Sequence, residues 1–221
     1  MSKNIRSVSI VVADDHPVVL GGLITLLHAD KTFKLLAKCG NGEQAIDAIR
    51  TLKPDIALLD VNMPKLNGLQ VLQILNEENF PTRVCFLAAS LTDREIVDAT
   101  AQGAFGLVLK ESAPDTLITC LYTIAAGQKW LPASLVEGAS ERLREHHAQI
   151  AKVRNVLSRR EIEIMLKVAE GLSNKAVGRQ LNISEGTVKM HLHSIYQKIQ
   201  VTNRTSLANF AMAYRDQLAT S

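Results

Sequence analysis

The chain has 221 residues, 47% of them hydrophobic, enough apolar material to bury one large core or two small ones, which excludes a chain disordered throughout. Three scattered cysteines, Cys39, Cys85 and Cys120, show no CxxC or Cys/His ligand spacing, which argues against a disulfide framework or a zinc site and fits a reducing compartment. The formal charge of +3 is uneven: residues 1–130 hold 12 Lys+Arg against 14 Asp+Glu, residues 131–221 hold 13 against 8, and the basic part is the nucleic-acid candidate.

Met1 to Arg6 lead into only a short apolar run, Val8 to Ala13, closed at once by Asp14 and Asp15. That is too short for a signal peptide or a membrane span, so a cytoplasmic protein without membrane association is expected. Val8–Ala13, Phe33–Ala37, Ile56–Leu59, Val84–Leu87 and Gly106–Leu109 read as five strands, bounded by Pro, Gly, Asp or Asn. Between and after them, apolar residues recur at near-helical spacing: Val18, Leu23 and Leu27; Ala45, Ile46 and Ile49; Leu69, Leu72 and Leu75; Ile96, Ala99 and Thr100; Leu117, Leu121 and Ile124. A repeated βα unit with continuous apolar strands predicts a doubly wound α/β fold around a parallel five-stranded sheet, flavodoxin-like, over residues 1–130.

After Gly127 the pattern becomes wholly helical. Residues 131–155 read as an interdomain linker, in which Glu137 to Ile150 can form a solvated helix. Four short helices are predicted beyond it, at about 159–170, 173–181, 185–200 and 204–216, giving an all-α four-helix domain over 156–221.

Asp14 and Asp15 follow the first strand, Asp60 ends the third and Lys110 ends the fifth, so all four fall on one edge of the sheet. With strand order 2-1-3-4-5, ligands bind beyond the carboxyl ends between the first and third strands. Three carboxylates that close repel unless a cation shares them, and all-oxygen ligands suit Mg²⁺. Asp60, the most central, is the candidate phosphoryl acceptor, and the Lys110 ammonium can pair with a phosphoryl oxygen. Taken singly, such acidic residues are commonly helix caps and Lys110 a surface lysine; the ordered set carries the reading.

The segments DDH at 14–16, LLDVNMPKLNG at 58–68 and GLVLKES at 106–112 resemble the CheY-like receiver domain, over roughly residues 7–127. The resemblance implies that a sensor histidine kinase phosphorylates Asp60, that Asp15, Asp60 and the Asn62 carbonyl bind Mg²⁺ with help from Asp14, and that Lys110 contacts the phosphate. It also implies that Pro64 and Gly68 shape the following loop. One departure stands out. Spacing puts Ala88 where that family carries Ser or Thr, and Leu107 where it carries an aromatic, with Ser90 beyond the strand end. The coupled hydroxyl and aromatic switch is absent at both positions, so a phosphate-independent regulator with the same output is the alternative reading.

In the basic part, Ser158 with Glu161 forms a capping-box pattern, Gly171 is placed to end that helix, and Ser173 and Ser184 can cap the next two. Two short helices with a tight turn suggest a helix-turn-helix. On the third helix Val188, Leu192, Ile195 and Ile199 share an apolar stripe, while Met190, His193 and Gln197 point away with Lys189 and Thr187 at the flank. A recognition helix needs that division, although an ordinary amphipathic surface helix shares it. Residues 157–211 closely resemble the LuxR-type helix-turn-helix of the NarL/FixJ subfamily, notably EGLSNK, ISEGTVK and the late NRT. This implies base reading by Lys189, Met190 and His193, and contact with or positioning of phosphates by Ser184, Thr187 and Lys198; His193 stands where lysine is frequent. It implies a homodimer on double-stranded DNA with the last helix, around Thr205 to Tyr214, as interface; Leu207, Phe210 and Ala211 fit a domain core equally.

No histidine is assigned a metal role: His191 and His193 diverge on a helix, His146 and His147 are adjacent and diverge too, and His16 is read as solvent-facing or structural. A phosphohydrolase is disfavoured because no DxD motif surrounds Asp60, and a nucleotide-binding protein because the βα turns lack a glycine-rich loop. The expectation is a non-enzymatic DNA-binding transcriptional regulator of a two-component system, whose unphosphorylated receiver restrains its output through residues 131–155.

Overall fold

The short apolar runs separated by Pro, Gly and Asn pair into a sheet because each carries too few residues to bury itself alone. The computed structural model describes residues 7–215 and Leu218; Met1–Arg6, used above in the argument against a signal peptide, lie outside the described residues. In chain order the first unit comprises β1 (Val8–Ala13), α1 (Pro17–Ala29), β2 (Phe33–Cys39), α2 (Gly42–Leu52), β3 (Ile56–Asp60), α3 (Gly68–Glu77), β4 (Arg83–Ala88), α4 (Asp93–Ala101), β5 (Gly106–Leu109) and α5 (Ala113–Ala125). The strands lie in the order β2-β1-β3-β4-β5, all parallel, and β3 is buried at every position.

Alternation along each strand splits the core into two layers. Ile10, Val12, Ile56 and Leu58 meet Leu27 of α1 and Leu117 and Leu121 of α5, while Val11, Ala57 and Leu59 meet Ile46 and Ile49 of α2, Val71 and Leu72 of α3 and Ile96 of α4. Val18, read above as part of the first apolar stripe, is instead 88% exposed. Its five-residue offset from Leu23 turns it about 140° off the buried face. The other departure lies after α5: the chain runs along β5, Leu107 N–H donating to the Trp130 carbonyl at 3.0 Å and Trp130 N–H to the Phe105 carbonyl at 2.7 Å. This extra bridge covers part of the β5 edge, which would otherwise expose unpaired backbone groups.

Residues 131–155 fall almost wholly on one helix, α6 (Ala133–Val156), and the chain divides into two compact units after Arg142, within it. α6 is less solvated than its charge suggested. Leu135, Val136 and the fully buried Ala139 join the core of the first unit, and Ile150 and Val153 that of the second.

The second unit continues with α7 (Arg159–Ala169), α8 (Asn174–Leu181), α9 (Glu185–Ile199) and α10 (Arg204–Ala213). Ser158, Ser173, Ser184 and Asn203 cap the four helices by accepting backbone N–H groups; the first three start at the caps expected from the sequence, and Asn203 adds a fourth that was not. Their shared core holds Ile164, Met165, Val168, Val177, Val188, Leu192 and Ile195, and with them Leu207 and Ala211 of the last helix.

Gly68 lets α3 start directly against the end of β3: a Cβ there would lie 2.4 Å from the Asp60 carbonyl oxygen. Gly68→Ala is expected to destabilise the α/β unit by about 1–3 kcal/mol through forced backbone displacement. Urea unfolding of the full chain followed by α/β-unit probes checks this, with an unchanged midpoint as the contrary result.

Candidate functional site

The parallel strands deliver Asp14, Asp60 and Lys110 to one edge of the sheet. Asp14 follows β1 and is 1% exposed, Asp60 ends β3 and is 3% exposed, and Lys110 follows β5. The Lys110 ammonium lies 2.7 Å from Asp14 Oδ2 and 2.8 Å from Asp60 Oδ2, bridging the two buried carboxylates. Its backbone N–H donates to the Ala88 carbonyl at 2.8 Å, fixing where the side chain leaves the sheet. Asp14 Oδ1 also accepts the His16 N–H at 2.9 Å, and the Asn62 N–H lies 3.4 Å from Asp60 Oδ1.

Burial raises the Asp60 carboxyl above its ordinary range, opposed by the Lys110 hydrogen bond and reinforced by the charge of Asp14. Burial alone would lower the Lys110 ammonium, but its bonds to Asp14 and Asp60 outweigh that and raise it. Lys110 is thus held protonated between its partners.

Donor atoms of Asp14, Asp15, His16 and Asp60 all lie within 4.8 Å of one another, among the described residues the grouping able to hold an ion. His16, given no such role by the sequence reading, places Nδ1 2.7 Å from Asp15 Oδ1 and 3.3 Å from Asp14 Oδ1, with its side chain 66% exposed. The cause is local: the turn after β1 folds the His16 backbone onto Asp14, and the exposed ring fits its solvent-facing reading. Three carboxylates supply the hard oxygen ligands that suit Mg²⁺. In the second unit the His146 ring lies edge-on to Tyr214 at 4.6 Å.

Ala88 is fully buried as the last residue of β4, Leu107 is buried in β5, and Ser90 is exposed beyond the strand end. Leu107 lies under the segment after α5, in an apolar hollow of about 250 Å³ shared with Leu91, Trp130, Pro132 and Leu135. Nearby, Arg142 Nε reaches both carboxylate oxygens of Asp93, at 3.0 and 2.9 Å, tying α6 to the first residue of α4. The pair lowers the Asp93 carboxyl and raises the Arg142 guanidinium through that hydrogen bond.

In the helical unit, α9 buries Val188, Leu192 and Ile195 and exposes the opposite face. Met190 is 69% exposed, and Lys189 is exposed in a 3.0 Å ion pair with Glu185 one turn earlier. His193 and Gln197 are exposed and hydrogen-bonded to each other at 3.1 Å. Ser184 and Thr187 cap the helix together: Ser184 Oγ accepts the Thr187 N–H at 3.0 Å and lies 2.8 Å from Thr187 Oγ1. Gly178 lets α8 and α9 approach, since a Cβ there would fall 2.7 Å from the Ile183 carbonyl.

Lys198, expected beside phosphates, has its ammonium on Glu161 at 2.9 and 2.7 Å, tying α9 to α7. From the sequence Glu161 is expected only as a capping-box member. It is buried and accepts from Ser158 N–H at 2.8 Å, Ser158 Oγ at 3.0 Å and Ser194 Oγ at 2.7 Å as well. Burial pushes its carboxyl up, but Lys198 and the serine donors prevail and bring it from 4.5 to about 2. Because the folded value lies below the unfolded one, the stabilisation is present above about pH 4.5 and is lost as pH falls towards 2. It amounts to about 3 kcal/mol at neutral pH, and removing Lys198 would strand the buried charge. Lys198→Ala is therefore expected to destabilise the helical unit at pH 7. Glu161→Gln should flatten its thermal stability between pH 5 and 3, and a pH profile unaltered by Glu161→Gln would contradict the assignment.

The response regulator receiver domain family matches residues 10–122, and the family of bacterial regulatory proteins of the luxR type matches residues 155–211. The chain is 34% identical over 205 residues to the nitrate/nitrite response regulator protein NarL of Escherichia coli K12, covering 93% of this chain and 95% of that protein. It is 31% identical over 214 residues to the transcriptional regulatory protein LnrK of Bacillus subtilis 168, covering 94% and 97%. Among solved structures it resembles the response regulator ChrA of a heme-sensing two-component system, at 31% identity and a TM-score of 0.54, over 95% of this chain and 98% of that one. No helix among the described residues is long and apolar enough to cross a membrane.

Proposed function

Because the chain belongs to the two-component response regulators of the NarL/FixJ subfamily, with a receiver and a LuxR-type DNA-binding output, we propose that it is a cytoplasmic transcription regulator switched at Asp60 by a sensor histidine kinase. The observation that carries this is the bridge from Lys110 to Asp14 and Asp60, which holds a buried acceptor carboxylate at the sheet edge with a cation beside it. Asp14, Asp15, Asp60 and the Asn62 carbonyl would hold Mg²⁺, which when bound neutralises charge on the arriving phosphoryl group. An Asp60 oxygen forms the new bond to phosphorus as the donor's bond to phosphorus breaks. The Lys110 ammonium then follows the new anion, leaving Asp14 less tightly paired.

Domain roles follow: residues 1–130 receive the signal, 131–155 connect, and 156–221 bind double-stranded DNA as a homodimer. Lys189, Met190 and His193 read bases from the exposed face of α9, with Ser184 and Thr187 at its N-terminal turn positioned for phosphates. Lys198 contributes indirectly, by fixing α9 on Glu161. The last helix keeps exposed residues such as Met212 for a dimer contact, while Leu207 and Ala211 are occupied by the core.

The missing hydroxyl and aromatic do not by themselves favour the phosphate-independent alternative, because Asp14, Asp15, Asp60 and Lys110 come together at the sheet edge. Residues 89–92 join the buried strand end at Ala88 to Asp93, and Asp93 is paired with Arg142 of α6. This is a route by which the state of Asp60 biases the linker without a swinging ring. Incubation with Mg²⁺ and a labelled small-molecule phosphodonor is expected to label the wild type, whereas Asp60→Ala takes no label and keeps its fold. Label retained by Asp60→Ala would refute the acceptor assignment.

A further inference from the structure

Resting on the reading of α9 as the groove-entering helix, we propose that Gln197 is a positioning residue for His193 and that the pair offers one fixed hydrogen-bond donor to an acceptor on a base edge. The two side chains lie one helical turn apart on the face that carries Lys189 and Met190, opposite Val188, Leu192 and Ile195. Gln197 Nε2 is 3.1 Å from His193 Nε2. In the proposed arrangement the Gln197 amide nitrogen donates, this ring nitrogen accepts, and the ring proton sits on Nδ1. Nδ1–H is then the ring's single donor.

Two further features of the same face suit an approaching duplex. Gly186, earlier on the same face, would have a Cβ with only Ser184 Oγ nearby, at 3.6 Å, so the first turn of α9 presents little bulk to an approaching duplex. Lys189, one turn before His193, is steered by its ion pair with Glu185. The exposed face thus carries a flexible cation followed by an oriented imidazole.

A donor in the major groove selects guanine O6 or N7, adenine N7 or thymine O4, and is repelled by the cytosine amino group. A lysine brings three donors on a rotating stem, whereas the paired imidazole brings one in a set plane. Orienting the ring before binding also removes rotamer entropy that would otherwise be lost on docking. His193 therefore discriminates through Gln197, and Gln197 affects base preference without needing a contact of its own.

The test uses the full-length protein. Side-chain ¹⁵N correlation spectra, with His193 identified by the resonances lost in His193→Ala, are expected to show Nδ1 protonation in the wild type. In Gln197→Ala the proton should move to Nε2, the form that unconstrained histidine prefers. Selection from a random double-stranded DNA pool is expected to show a preference at one base pair of each half-site that falls about tenfold in His193→Ala. Gln197→Ala should lose that same preference, and the double variant no more than either. An Nε2-protonated ring in the wild type overturns the proposal, as does Gln197→Ala keeping a preference that His193→Ala loses. If His193→Ala keeps every preference, the proposal falls while DNA recognition through Lys189 stands; a wild type that selects no sequence removes the recognition-helix reading itself.

Discussion

Two buried carboxylates at the ends of adjacent strands, held by a single ammonium, are the constraint around which the rest of the first unit is arranged. Asp14 and Asp60 could not stay charged side by side in a dry strand edge without Lys110 between them. The requirement reaches into the fold. Parallel strands must end together, α3 must start tightly enough for a glycine at 68, and β5 must be fixed against β4 so that Lys110 leaves the sheet at the right place. An arrangement with its charges already balanced in this way is poised to respond when a new anion and a cation are added, because every partner must then redistribute.

In the proposed switch that redistribution has an outlet other than a rotating aromatic ring. With Ala88 buried at the end of β4 and Leu107 covered by the segment after α5, the proposed switch would act through the loop after β4, the start of α4 and the helix tied to it by Arg142. The exposed Arg142–Asp93 pair is a weak bond by nature, as surface ion pairs are, and that suits a contact that must be broken by a small change in free energy. The helical unit uses the opposite strategy. Glu161 gathers Ser158, Ser194 and Lys198 around a buried charge, so α9 is fixed to α7 and its exposed face can present side chains in set positions.

Much of this was legible in the sequence because local chemistry and periodicity agreed. The strands, the three serine-capped helices and the acidic edge of Asp14, Asp60 and Lys110 follow from apolar runs, Ser before helices, and residues placed at strand ends. What escaped it depends on contacts distant in sequence or on exact angles. Glu161 looked like an ordinary capping-box acid, because nothing local announces a partner as far along the chain as Lys198. Val18 left its stripe through an angular offset. Charge suggested a solvated helix after residue 136, whereas Ala139, Ile150 and Val153 anchor its two ends in separate cores.

In the proposed switch the charge state of Asp60 governs DNA binding even without the hydroxyl and aromatic. The most direct measurement is the affinity of the full-length protein for a selected duplex at fixed salt, with and without Mg²⁺ and a small-molecule phosphodonor, Asp60→Ala serving as control. Tighter binding confined to the wild type with phosphodonor is the expected result. Equal binding in every sample, with phosphate incorporation into the wild type verified separately, would contradict it and leave the output domain under another control.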